Sequence, residues 1–152
     1  MPLRERINEG LKTAMREKDA TRLSTLRLIS AAIKDQDINA RAKGNSEGVS
    51  EAEVLTILGK MVKQRQESAR AYEEGGRLEL AEKEREEIAV IEDYLPRQLS
   101  EEEVARAVDD AIAATGADSI RDMGRVMGVL KSKHTGQMDF GAVGPRVRER
   151  LS

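Results

Sequence analysis

The chain has no cysteine and no tryptophan, and Tyr72, Tyr94 and Phe140 are its whole aromatic set. The first absence excludes disulfides, thiolate metal sites and cysteine nucleophiles. Scarce aromatics count against a β-sandwich or barrel, whose strands are rich in aromatic and β-branched residues. They also count against reading single-stranded nucleic acid by base stacking. No apolar run approaches the roughly 18–20 residues that span a membrane. The opening MPLRERINEGLK lacks a continuous apolar core and does not read as a signal peptide. A cytoplasmic protein without a membrane partner is the expectation. No GxxxxGKS loop and no GxSxG is present, and the lone His134 has no second ligand at a metal spacing. The expectation is therefore no catalytic residue, no metal and no cofactor.

What is present favours helices. Of 152 residues, 36% are charged and 39% hydrophobic, with Ala, Leu, Glu, Arg and Lys dominant, so apolar residues must serve as stripes on amphipathic helices. The net charge of −2 hides an uneven distribution. Residues 12–34 carry six basic against two acidic residues, 73–93 nine acidic against three basic, and 119–152 seven basic against three acidic. The two basic segments are where a polyanion could land, although such runs also serve as solvated helix faces.

Leu3, Ile7, Leu11 and Met15 recur every four residues and predict a first helix over about 3–18, with Pro2 at its start. Asp19 caps a second, with the stripe Leu23, Leu26, Ile29, Ile33 and Ile38, fading into ARAKGNSEGVS. Ser50 with Glu53 is a capping box opening a third, which aligns Val54, Leu58, Met61, Val62, Arg65, Ala69 and Tyr72 and stops at Gly75-Gly76. A fourth runs from about Leu78 to Tyr94, burying Ala81, Ile88, Ile91 and Leu95. Pro96 marks a boundary between a four-helix N-terminal domain, 1–95, and a small three-helix C-terminal domain, 96–152. In the second domain Ser100 and Glu103 open a helix through Val104, Val108, Ala111 and Ile112 that Gly116 stops. Ser119 with Asp122 caps the next, and Asp139 caps the last, where Val143, Val147 and Leu151 align. Pro145 is awkward inside that helix and could instead mark its first turn. The fold class is all-α.

The stretch DMGRVMGVLKSKHTG, 122–136, repeats Met-Gly four residues apart. Glycine costs a helix interior roughly 1 kcal/mol relative to alanine, so two in one helix ask for a reason. Ile120, Met123, Met127 and Leu130 form the expected core stripe, leaving Gly124 and Gly128 as a small-residue groove one position round. The groove could admit the last helix, or a partner's backbone, or answer to nothing. Close packing is the first expectation, and the exposed edge, rimmed by Arg121, Arg125, Lys131 and Lys133, is the candidate RNA contact. His134 is read as a loop residue.

RLSTLRLISAAIK (22–34), KMVKQRQESARAYEEGGRLELAEKEREEIAVIEDYLP (60–96) and DMGRVMGVLK (122–131) together resemble the GatB/YqeY family, over almost the whole chain. The chain is similar to the stand-alone YqeY-type members and to the C-terminal tail region of GatB, the B subunit of the tRNA-dependent amidotransferase. The resemblance implies a helical N-terminal domain and a three-helix C-terminal domain. It also implies a tail-like accessory role holding tRNA by outer shape, with Asp122, Gly124, Arg125, Gly128 and Lys131 on the tRNA-facing helix. The family's downstream Gly-Arg-Ala-Asp-Gly is here Gly136-Gln137-Met138-Asp139-Phe140, with Phe140 read as a core plug. A docking adaptor for an amidotransferase or aminoacyl-tRNA synthetase complex is the alternative partner reading. Carbon–nitrogen ligase activity with glutamine as amido donor is the family association, matched by no catalytic segment of this chain.

Overall fold

A step of four residues carries a helix about 40° beyond a full turn. Three such steps from Leu3 put Met15 about 120° off the stripe, while Ala14, eleven residues on, returns to within about 20°. The computed structural model, which describes residues 1–152, follows that arithmetic. In helix α1, Leu3–Glu17, it buries Leu3, Ile7 and Ala14 and leaves Met15 58% exposed. The same correction applies to α2, Ala20–Ala42, whose buried line runs Leu26, Ile29, Ile33 and then Asp37, with Ile38 63% exposed.

Helix α3, Glu51–Glu74, opens on the capping box of Ser50 and Glu53, and Gly75 ends it. Helix α4, Leu78–Glu92, stops two residues before the expected Tyr94. Arg65 and Glu87, both about one-seventh exposed, join α3 to α4 at 2.9 Å, and Glu73 pairs with Arg85 near the turn. Leu3, Ile7, Ala14, Leu26, Ile29, Ile33, Leu58, Ile91 and Tyr94 share one core. Residues Met1–Leu95 form the first of two compact units, and Pro96–Ser152 the second.

The second unit holds α5, Glu101–Thr115, then a 3₁₀ turn over Ile120–Asp122, α6, Met123–Lys133, and α7, Phe140–Leu151. Ser100 and Glu103 form the expected capping box of α5. Arg97 grips the Glu103 carboxylate at 2.9 and 2.8 Å and, with the Ser100 N–H, holds it down at about pKa 2. Asp139 caps α7 by accepting the Gly141 N–H at 3.0 Å, so Pro145 lies inside that helix and not in its first turn. Gly141 and Pro145 are both exposed, so the carbonyl that loses its helical donor there is open to water. Val104, Val108, Val126, Leu130, Val143, Val147 and Leu151 make the core, with Met123, Met127 and Phe140 partly buried against it. There is no strand in either unit.

A candidate polyanion-binding line on helix α6

Two corrections shape this site. The buried residues of α6 are Val126 and Leu130, flanked by half-buried Met123 and Met127, while Ile120 is 48% exposed. The expected stripe therefore holds at Met123, Met127 and Leu130, fails at Ile120 and misses Val126. The expected cap is also absent: the Ser119 side chain makes no capping bond, and a 3₁₀ turn precedes the α-helix. The Asp122 carboxylate accepts instead from Arg125 at 2.5 Å and from the Asp118 N–H at 3.1 Å. Those two bonds, Arg125's first, hold its pKa down at about 2.

The close-packing account of the glycines is overturned. A β-carbon placed on Gly124 or Gly128 meets nothing within 4 Å, and both residues are exposed. Where α6 and α7 meet, the glycine in contact is Gly144 of α7, which is buried, with the Met123 Cε 3.8 Å from where its β-carbon would stand.

At about 100° per residue, Gly128 and Lys131 fall within about 40° of Gly124, and Arg121 lies one turn ahead on the 3₁₀ turn. Arg121, Gly124, Gly128 and Lys131 thus form one solvent-facing line about 15 Å long, on the side of α6 away from Val126 and Leu130. Arg121 and Lys131 are exposed and hold no ion pair or hydrogen bond through their side chains. Arg125 is a quarter-turn away and is tied to Asp122 and to the Thr115 carbonyl, at 3.2 Å. Lys133 is exposed but lies about 180° from Gly124. Of the six candidate residues, four come together and two do not.

The basic excess of 119–152 is partly neutralised within the unit. Arg146 meets Glu101 at 3.6 Å, and Arg150 pairs with Asp109. The loop after α6 is a latch built on Gln137. His134 Nδ1 lies 3.1 Å from Gln137 Oε1, Gln137 Nε2 donates to the Arg97 carbonyl at 3.1 Å, and Gln98 Nε2 donates to the Gly136 carbonyl at 2.6 Å. The sequence alone assigns Gln137 no role and places His134 only in a loop. An amide pair that bridges two loops leaves no periodic signal.

A third cluster also went unforeseen. Asp37, 7% exposed, receives Arg4 through both guanidinium nitrogens at 2.8 and 2.5 Å and the Val49 N–H at 3.0 Å. These bonds, Arg4's first, hold its carboxyl well below the usual carboxylate range. The available signal was a lone acid continuing the line of Ile29 and Ile33.

Fold and site together define an all-helical protein of two units whose one assembled line of glycine and unpaired cation lies on an open helix face. The Yqey-like protein family matches residues 4–151, and the chain belongs to that family, as its motifs implied. Relatives include proteins named "Altered inheritance of mitochondria protein 41, mitochondrial" from three yeasts. That of Eremothecium gossypii is 36% identical over 104 residues, 66% of this chain and 55% of the relative. That of Clavispora lusitaniae is 38% identical over 89 residues, 59% of this chain and 49% of the relative. That of Kluyveromyces lactis is 33% identical over 105 residues, 67% and 55% respectively. The chain spans about half the length of these curated relatives. No helix is long and apolar enough to cross a membrane.

Proposed function

We propose that the protein is an accessory module that binds tRNA through backbone and shape contacts, with 96–152 as the RNA-contacting domain and the α6 line as the contact. The observation that carries this reading is the open space over Gly124 and Gly128, beside two cations without a partner in the chain. Two helix-destabilising residues face solvent there, and they bring the helix surface within reach of a sugar-phosphate chain. Arg121 and Lys131 sit at its ends, where each can neutralise a phosphate. The family association makes a tRNA amidotransferase or aminoacyl-tRNA synthetase complex the proposed setting, and the expected cytoplasmic location belongs to the same proposal.

The test is binding of the full chain to unfractionated tRNA across a salt series. Affinity should fall steeply with salt, and Arg121→Ala with Lys131→Ala should lower the slope by about one unit per residue. Lys133→Ala should leave the slope unchanged. No binding at low salt, or a double variant that binds like the parent, would overturn the reading.

A further inference from the structure

Helix α2 carries a second line of cations. Arg27, Lys34 and Arg41 stand seven residues apart. Seven residues advance a helix by about 10.5 Å and return it to within about 20° of the starting direction. The three therefore lie on one face, spread over about 40°, along about 21 Å. All are exposed, and none has an ion pair or hydrogen bond through its side chain. In a chain with 28 acidic residues against 26 basic ones, three aligned cations without a hydrogen bond or ion pair call for an explanation.

The neighbouring side chains make the line more pointed. Asp37 stands four residues before Arg41, the spacing and order in which an acid best pairs with a base on a helix. That acid is withdrawn: it is turned inward and held by Arg4 from α1 and by the Val49 N–H. Arg4 and the Val49 N–H thus take the hydrogen bonds of Asp37 and leave Arg41 on the surface, with only a weaker coulombic pull on that carboxylate. The other acid in this stretch, Asp35, lies roughly a quarter-turn from Lys34 and lines an open groove of about 400 Å³ with Glu53, Lys60 and Met61. Ser30 and Ala31, between Arg27 and Lys34, are short side chains that leave room for an approaching chain.

We infer that Arg27, Lys34 and Arg41 form a second line of contact for a nucleic-acid backbone, on the first unit. It is independent of base sequence and takes RNA phosphates at three points along α2. The inference rests on the RNA-binding reading and extends it to residues outside the family's tRNA-facing helix. Evenly spaced cations on a rigid helix suit a regularly charged rod, and Arg and Lys without internal partners release counterions from it.

Three variants of the full chain separate the outcomes: Arg27→Gln with Lys34→Gln and Arg41→Gln, Arg121→Gln with Lys131→Gln, and all five changes together. Because the substituted side chains have no hydrogen bond or ion pair to lose, helicity should match the parent and Tm should stay close to it, and circular dichroism checks both. Against unfractionated tRNA, the α2 variant should bind at least tenfold more weakly at about 50 mM salt, and its log–log salt slope should drop by about three units. An α2 variant that binds like the parent while the α6 variant is impaired overturns this inference and leaves the α6 reading standing. A parent that does not bind tRNA overturns both. Binding to phosphatidylserine–phosphatidylcholine vesicles that the α2 changes abolish, with tRNA affinity untouched, would assign the line to a membrane surface and overturn the RNA inference.

Discussion

Gly10 and Gly48 in the first unit and Gly124 and Gly128 of helix α6 look alike in sequence and differ in what surrounds them. A β-carbon on Gly10 would run into the hydroxyl of Tyr94, whose ring lies beneath Arg6 at 5.4 Å. One on Gly48 would run into the Asp37 carboxylate, and Gly48 also has φ +83°. Gly124 and Gly128 meet nothing. At Gly10 and Gly48 the missing side chain is space already taken by the same chain. On α6, as at Gly59 of α3, it is space left open, so packing within the chain does not account for it. The distinction turns on what lies across from each glycine and not on the glycine itself.

Gly48→Ala breaks the comparison most forcefully. A left-handed backbone costs an alanine about 1–2 kcal/mol, and the new methyl also displaces the carboxylate that Arg4 and the Val49 N–H hold. A loss of about 2–3 kcal/mol is expected, seen in thermal or urea unfolding as a Tm lower by about 10 °C or more. A Tm within a degree or two of the parent would mean that the loop shifts freely and that the space at Gly48 is not occupied in any demanding sense.

The same cluster predicts a pH effect. Asp37's carboxyl titrates lower in the folded chain than its ordinary 3.8. Its contribution is therefore complete above about pH 4 and drains away as pH falls below that value. Asp37→Asn should be less stable than the parent at pH 7 by about 1–2 kcal/mol. Its Tm should decline less than the parent's as the pH drops below about 4, so that the two curves converge. Parallel curves would show that Arg4 does not depend on the charge of residue 37.

How much of this was legible in the sequence follows from how local each cause is. The all-α class and most helix starts could be read because Asp19, Ser50, Ser100 and Asp139 act within three residues of themselves. The family could be read from three motifs that together cover most of the chain. The four-residue spacing misled at Met15 and Ile38, where the drift of a 3.6-residue helix hands the core position to Ala14 and Asp37. Pro145 left open whether α7 starts at Asp139 or at the proline; Asp139 starts it six residues earlier, and an exposed face absorbs the lost bond. At the candidate site the aligned cations Arg121 and Lys131 could be recognised. The pairing of Arg125 with Asp122, and the emptiness over the glycines, depend on side chains and spaces that spacing does not encode.

The smallest predicted effect is the most informative about α6. Gly128→Ala should stabilise the chain by about 0.5–1 kcal/mol, since an alanine loses less backbone entropy in a helix and has nothing to collide with. Gly124 sits second in α6, where the gain should be smaller. A leucine at 128 would extend into the same open space, so the folded state should tolerate it. Its bulk would instead stand on the line between Arg121 and Lys131. If Gly128→Leu unfolds no earlier than the parent yet binds tRNA more weakly, the glycine keeps the surface clear for contact at the expense of stability, which packing within the chain cannot explain. If it binds as tightly as the parent, the cations alone carry the contact and the bare backbone between them has no part in it.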